Sequence, residues 1–330
     1  MRVTKLGANG PQVSQFGIGA MSFAGIYGDA TEEQSFAVLD ACRSSGVTHI
    51  DTANVYGDGR SEKIIGSWFS ARPGARSEMV LATKAGITRD PERRFNNDPG
   101  YLEASLDESL QRLGVEQVDL FYAHRYDRMH SPEDVAGALY RLVEKGKTVA
   151  VGLSEVAPST LRRATSECPI AAVQSEYSLS TRAPELGLTQ TCAELGTTLV
   201  AFSPVGRAYL TDRPFNWERV QSMAFTKTNP RFIEPNYSAN IAKTDAFRSL
   251  AADMGEPAAA LAIAWLISRG DHVLPIPGTK STAHLAELVR GTELELSSAD
   301  LERIEELLPV GWAWGDRYNA VQWEGPERYC

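Results

Sequence analysis

Along most of the chain, short runs rich in Val, Ile, Leu and Phe alternate with longer stretches in which apolar residues recur at helical spacing. This is the pattern of buried strands and amphipathic helices taken in turn. The period is roughly forty residues, repeated about eight times. Strands are predicted at 16–19, 48–50, 79–83, 118–123, 148–153, 171–173, 197–202 and 272–275. Between them lie helices with legible starts. Thr31 precedes Glu32 and Glu33 as an N-cap, Ser131 precedes Pro132, Glu133 and Asp134 in the same way, and such helices end near a glycine. Strands of buried type, each followed by a helix, predict an α/β fold, a (β/α)8 TIM barrel that takes up residues 1–330 as one domain. A doubly wound sheet with a second domain is the alternative.

Three segments fall outside the repeat. Residues 1–15 read as a β-hairpin able to plug the lower end of the barrel. Residues 206–240, rich in Pro, Asn and aromatics, and the extended tail 309–330, with Trp312, Trp314, Tyr318 and Trp323, read as loops of the active-site face.

Charge and composition narrow the partners. With 33 basic and 42 acidic residues the net charge is -9, which opposes binding to nucleic acid or anionic lipid. The N-terminus has no basic-then-apolar leader, and the longest apolar run, 257–267, is too short to span a bilayer, so a cytoplasmic protein is expected. Cys42, Cys168, Cys192 and Cys330 lie far apart with no C-x-x-C and are expected to be reduced thiols. His49, His130 and His272 show no ligand spacing, and no structural metal is expected. Assembly into a homo-oligomer is left open.

A barrel gathers its chemistry at the C-terminal ends of its strands, and six of these predicted ends are polar: Asp51, Lys84, His124, Ser154, Gln174 and Ser203. One such residue is usually a satisfied polar group at a strand end. Six together point to a site. A phenol is a poor acid at neutral pH, but an adjacent ammonium favours its ionised form, so Tyr56 beside Lys84 would move a proton. Asp51 would hold Lys84 charged, and a neutral His124 would orient a carbonyl oxygen. None of these four delivers hydride, so the reaction needs a cofactor such as a nicotinamide.

These residues stand in segments that resemble the aldo-keto reductase family over nearly the whole chain. Asp51-Thr-Ala-Asn-Val-Tyr56-Gly resembles its D-T-A-x-x-Y-G signature, Lys84 its strand-end lysine, and His124-Arg-Tyr-Asp127 the H-R-x-D form of its histidine motif found in bacterial members. The resemblance implies a catalytic tetrad of Asp51, Tyr56, Lys84 and His124. Gly152-Leu-Ser154-Glu and Gln174-x-Glu-Tyr177 resemble segments that hold the nicotinamide, which implies that Ser154 contacts its carboxamide, that Gln174 is the family's cofactor-binding glutamine and that Tyr177 stacks on the ring. Ser203-Pro204-Val-Gly206-Arg207 is similar to the loop around the pyrophosphate, and the segment with Gly278, Thr279 and Lys280 to the one around the adenosine phosphate. His284 and Glu287 complete the implied cofactor contacts. The implied activity is NAD(P)H-dependent interconversion of an aldehyde or ketone and its alcohol, NADP(H) favoured over NAD(H). An NAD-linked alcohol or sugar dehydrogenase and a coenzyme-binding regulatory subunit resembling channel β-subunits are the alternatives.

Departures from the family pattern are also legible. Ala208 and Asp212 replace glycines of G-x-L-T-G, and His284 and Leu288 replace the Arg and Asn of R-x-x-E-N. Trp217, Trp312, Trp314 and Tyr318, with Arg125 and Arg317, suggest a polar, sugar-like carbonyl substrate. Gly17-Ile-Gly19 lacks the third glycine of a dinucleotide fingerprint and reads as the first barrel strand. Trp265 reads as part of a core helix, and Glu302, Glu305 and Glu306 as a solvated helix face.

Overall fold

The computed structural model describes residues 1–328; Cys330 lies outside them. The N-terminal hairpin pairs β1 (Val3–Lys5) with β2 (Gln12–Ser14) in antiparallel register. Eight parallel strands follow: β3 (Gly17–Gly19), β4 (His49–Asp51), β5 (Val80–Ala85), β6 (Val118–Ala123), β7 (Thr148–Ser154), β8 (Ala172–Glu176), β9 (Thr198–Phe202) and β10 (Val273–Ile276). Each pairs with the next in chain order, and the seam between β3 and β10 is bridged by Gly19 N donating to Pro277 O at 2.9 Å. A side chain at Gly19 would come within 2.9 Å of Ile276 O, so the seam closes only with glycine there.

Helices cover the outside, as a parallel sheet buried on both faces requires. They are α1 (Glu32–Ser44), α2 (Arg60–Ala71), the single turn α3 (Ala75–Glu78), α4 (Pro99–Leu113), α5 (Pro132–Glu144), α6 (Pro158–Glu167) and α7 (Leu188–Leu195). After β9 come α8 (Trp217–Ser222), α9 (Asn236–Asp253) and α10 (Ala258–Ile267), and after β10 α11 (Thr282–Arg290) and α12 (Ser298–Leu307). The expected starts are present as capping boxes, Thr31 with Gln34 and Ser131 with Asp134. The irregular stretch after β9 is shorter than the sequence suggests, because α9 already begins at Asn236. No single helix among the described residues is long and apolar enough to cross a membrane.

Two sets of side chains alternate along every strand. Val80, Ala82, Leu120, Ala150, Ala172, Val200 and Leu274 point into the barrel, while Leu81, Phe121, Val151, Val173 and Leu199 pack outward beneath the helices. Leu6 and Val13 of the hairpin join the inner set, and Gly7 N donates to Thr198 Oγ1 at 2.8 Å, so the hairpin plugs the lower end. Trp265 is wholly buried in α10, edge-on to Tyr177. Of the acidic residues on α12, Glu302 and Glu306 are exposed, but Glu305 accepts from Arg182 and from Trp265 Nε1 and is only half solvated. That helix face is thus partly a docking face, in place of the solvated one expected.

Candidate active site

The inward parity of each strand carries polar residues to the upper rim. On β5, Val80 and Ala82 point inward, and Lys84 therefore does too, with no exposure to solvent. Its Nζ donates to Asp51 Oδ1 at 2.5 Å and to Thr52 O at 2.8 Å, and lies 3.4 Å from Tyr56 Oη. Gln174 Nε2 donates to the other oxygen of Asp51 at 2.8 Å. Burial opposes the charge of Lys84, but Asp51 and the Tyr56 phenol together outweigh it and hold its pKa above the usual lysine range. Asp51, Lys84 and Tyr56 thus form one chain from the barrel interior to the rim.

His124 follows β6 and meets the Tyr56 ring edge-on, the centroids 5.8 Å apart. Burial, then the charges of Arg125 and Lys84, hold its pKa well below that of an ordinary imidazole, so the ring is neutral at neutral pH. Its Nδ1 is buried with no partner among the described residues. The neutral tautomer that leaves a buried nitrogen bare carries its proton on Nε2, available to donate to a ligand oxygen.

Asp51, Tyr56, His124, Ser154, Gln174 and Ser203 all line one cleft of about 1460 Å³. That exceeds the ~300–1,000 Å³ of a typical small-molecule pocket and leaves room for a dinucleotide beside a small substrate. Lys84 lies under the floor and does not line it. Pro204, Arg207, Gly278, Thr279, Lys280, His284 and Glu287 border the arm formed after β9 and β10. Across this arm Lys280 Nζ donates to Asp29 O at 2.5 Å, and Arg219 Nη2 to Tyr27 O at 3.3 Å. The opposite arm is walled by Ile87, Phe95 and Arg125 after β5 and β6, and by Tyr318 and Val321 of the tail.

Several expected positions lie elsewhere. Gln174 and Glu176 point inward on β8, so Tyr177 points outward by the same alternation; it is fully buried, donates to Glu185 at 2.7 Å and does not reach the cleft. Phe202, in register with inward Val200 on β9, does line the cleft, at the barrel mouth, and was missed in the sequence. Gly206 does not line the cleft either, since its Cα faces Ser180. Of the suggested substrate aromatics only Tyr318 lines it. Trp312 is buried and donates to Leu179 O, Trp314 is exposed, and Trp217 packs on Tyr237.

Arg317 is committed to a buried charge network that the sequence did not disclose. It pairs with Glu155 at 2.5 Å, while Arg207 grips Glu176 with both terminal nitrogens and Arg231 approaches the same carboxylate at 3.6 Å. Burial alone would raise the pKa of both carboxyls, but the guanidiniums more than offset it and keep them ionised. The network fastens the tail and the loop after β9 to the strand ends, which positions Tyr318 over the cleft.

Residues 15–309 match the model of the Aldo/keto reductase family. This chain belongs to that family. It is 36% identical over 312 residues to the aldo-keto reductase yakc [NADP(+)] of Schizosaccharomyces pombe, covering 93% of this chain and 92% of that one. A probable aldo-keto reductase of Glycine max is 37% identical over 317 residues, covering 95% and 91% of the two chains. Among solved structures, a glycerol dehydrogenase from Gluconobacter oxydans superposes with a TM-score of 0.80 at 24% identity, covering 93% and 94%. A thermostable aldo-keto reductase in complex with the inhibitor epalrestat gives 0.72 at 26% identity, covering 93% and 100%. Aldo/keto reductases are NAD(P)H-dependent oxidoreductases.

The groove of this aldo/keto reductase suits such a dinucleotide in its donor set. Arg213, Arg219 and Lys280 border the arm beyond Ser203 without a carboxylate partner among the described residues, and Phe202 offers a flat ring at the barrel mouth. The departure at Ala208 has a local cost. Its φ is 79°, in the left-handed region where a Cβ is strained by about 1–2 kcal/mol, part of which glycine would return to the unfolded chain as entropy. Ala208→Gly should therefore stabilise the protein by about 0.5–1 kcal/mol in urea unfolding. A lower midpoint for the variant would mean that the backbone is not strained there. Asp212 has a different use, accepting from Ala258 N at the start of α10.

Proposed function

We propose that this aldo/keto reductase interconverts an aldehyde or ketone and its alcohol with NADP(H), Tyr56 being the proton donor. The observation that carries this reading is the Asp51–Lys84–Tyr56 chain ending beside a neutral His124 on the cleft floor. A bound nicotinamide supplies the hydride. His124 Nε2 donates to the carbonyl oxygen and fixes its direction toward Tyr56. Tyr56 Oη gives its proton to that oxygen as negative charge develops, and Lys84, kept charged by Asp51, stabilises the phenolate left behind. Ser154 and Gln174 hold the carboxamide, and Phe202 presents its ring to the nicotinamide. Arg125 and Tyr318 beside the reacting end favour a polar carbonyl compound. A steady-state screen of aldehydes, ketones and sugars with NADPH and NADH tests the reading; no coenzyme consumption with any of them would overturn it.

NADP(H) is favoured because Lys280, Thr279 and Ser281 stand together where the adenosine phosphate would lie, and the Schizosaccharomyces relative is named for NADP(+). Burial and the charge of Arg219 lower the pKa of Lys280, an arrangement that an anion in the groove would relieve. Removing a charge-assisted bond costs roughly 1.5–3 kcal/mol, so Lys280→Ala should weaken NADPH about tenfold to a hundredfold and NADH little. Paired fluorescence titrations read this directly. Equal weakening of both coenzymes would assign Lys280 to closure of the groove through Asp29 instead.

A further inference from the structure

Four cations that border the cleft have no carboxylate partner among the described residues. Arg213, Arg219 and Lys280 belong to the coenzyme arm, where a dinucleotide's phosphates would neutralise them. The fourth, Arg125, stands at the other end, next to His124. Its Nη1 donates to His124 O at 2.6 Å and to Ser154 Oγ at 3.2 Å, which fixes the guanidinium, while Nε and Nη2 make no hydrogen bond within the described chain. The surrounding carboxylates are committed elsewhere: Glu324 to Arg94, Glu155 to Arg317, and Asp127 to Asn97 N and His130. The walls are Ile87, Phe95, Tyr318 and Val321, which solvate a charge poorly and strengthen its pull on an anion.

We propose that the substrate carries an anionic group, a carboxylate or a phosphate monoester, held by the Nε/Nη2 edge of Arg125. This rests on the reductase reading above and names its substrate class. Two parallel N–H groups on a planar edge match two oxygens of either anion. Because Nη1 is tied to the backbone of His124, the anion is held a short chain away from the carbonyl that His124 orients.

The test compares kcat/KM for succinic semialdehyde against butanal, and for glyceraldehyde 3-phosphate against glyceraldehyde, at low ionic strength. The wild type should favour the anionic member of at least one pair by about tenfold or more, and the pair that responds identifies the anion. Arg125→Gln should bring that ratio to near one, and Arg125→Lys should restore part of it. The ratio is the readout, since Nη1 also braces His124 and absolute rates will change. Ratios near one in the wild type, or a preference that survives in Arg125→Gln, would overturn the proposal. Calorimetric titration of the wild type and of Arg125→Gln with NADP+ bound, using benzoate and phenyl phosphate against benzamide, decides the same question without turnover: an anion preference present in the wild type should be lost in the variant. Equal affinities there count against it. Neutral aldehydes reduced without anion preference would sink this inference alone; no carbonyl reduced, yet an anion preference lost in Arg125→Gln, would sink only the reductase reading.

Discussion

Tyr56→Phe is expected to lower turnover by about 10²–10⁴-fold, the usual contribution of a positioned general acid, with coenzyme affinity nearly unchanged. The substitution removes one oxygen. The ring keeps its edge-on contact with His124, and Lys84 keeps its bonds to Asp51 and Thr52, so fold and floor survive. On the proposed reading, what is lost is the proton for the developing alkoxide. Rapid-mixing kinetics with NADPH and a reactive aldehyde, alongside fluorescence titration of the coenzyme, separate chemistry from binding. A variant that keeps a tenth of wild-type turnover would show that the proton comes from elsewhere.

How much of this site could be read from the sequence depended on strand parity. Asp51, Lys84, Ser154 and Gln174 stand at ends of strands whose lower residues point inward, and a period of two carries that direction up to the rim. The same parity was available for Tyr177, three positions after inward Gln174 and therefore outward, and for Phe202, two after inward Val200; motif likeness pointed to Tyr177, which lies outside the cleft, and passed over Phe202, which lines it. The tail was legible only as a segment of the active-site face, where Tyr318 and Val321 do line the cleft; neither parity nor motif placed its other side chains. No period governs residues 309–328, and their placement is set by Arg317 finding Glu155, a pairing 162 residues apart that no local pattern announces. The loop after β9 is held likewise, by Arg207 reaching back to Glu176. The capping boxes at Thr31 and Ser131, whose donors and acceptors lie within one turn, were legible for the converse reason.

Lys84→Met is expected to destabilise the protein by about 3–5 kcal/mol and to reduce turnover strongly, because it strands the carboxylate of Asp51, 2% exposed, with Gln174 Nε2 as its one remaining side-chain partner among the described residues. Since the pKa of Lys84 is held above the usual lysine range, its stabilising charge is fully present below that range and is lost only as pH rises through the higher folded value. The deficit should therefore be constant through neutral pH. Stability and chemistry separate in the double variant: Asp51→Asn together with Lys84→Met removes the stranded charge and keeps an acceptor for Gln174, so most of the lost stability should return. Turnover should not, because the phenolate of Tyr56 would still lack a cation. Urea unfolding at pH 7 with steady-state kinetics on the four proteins of this cycle reads both quantities. Full stability in Lys84→Met alone would remove the buried pair from the account, and turnover recovered in the double variant would mean that Lys84 serves the fold rather than the proton transfer.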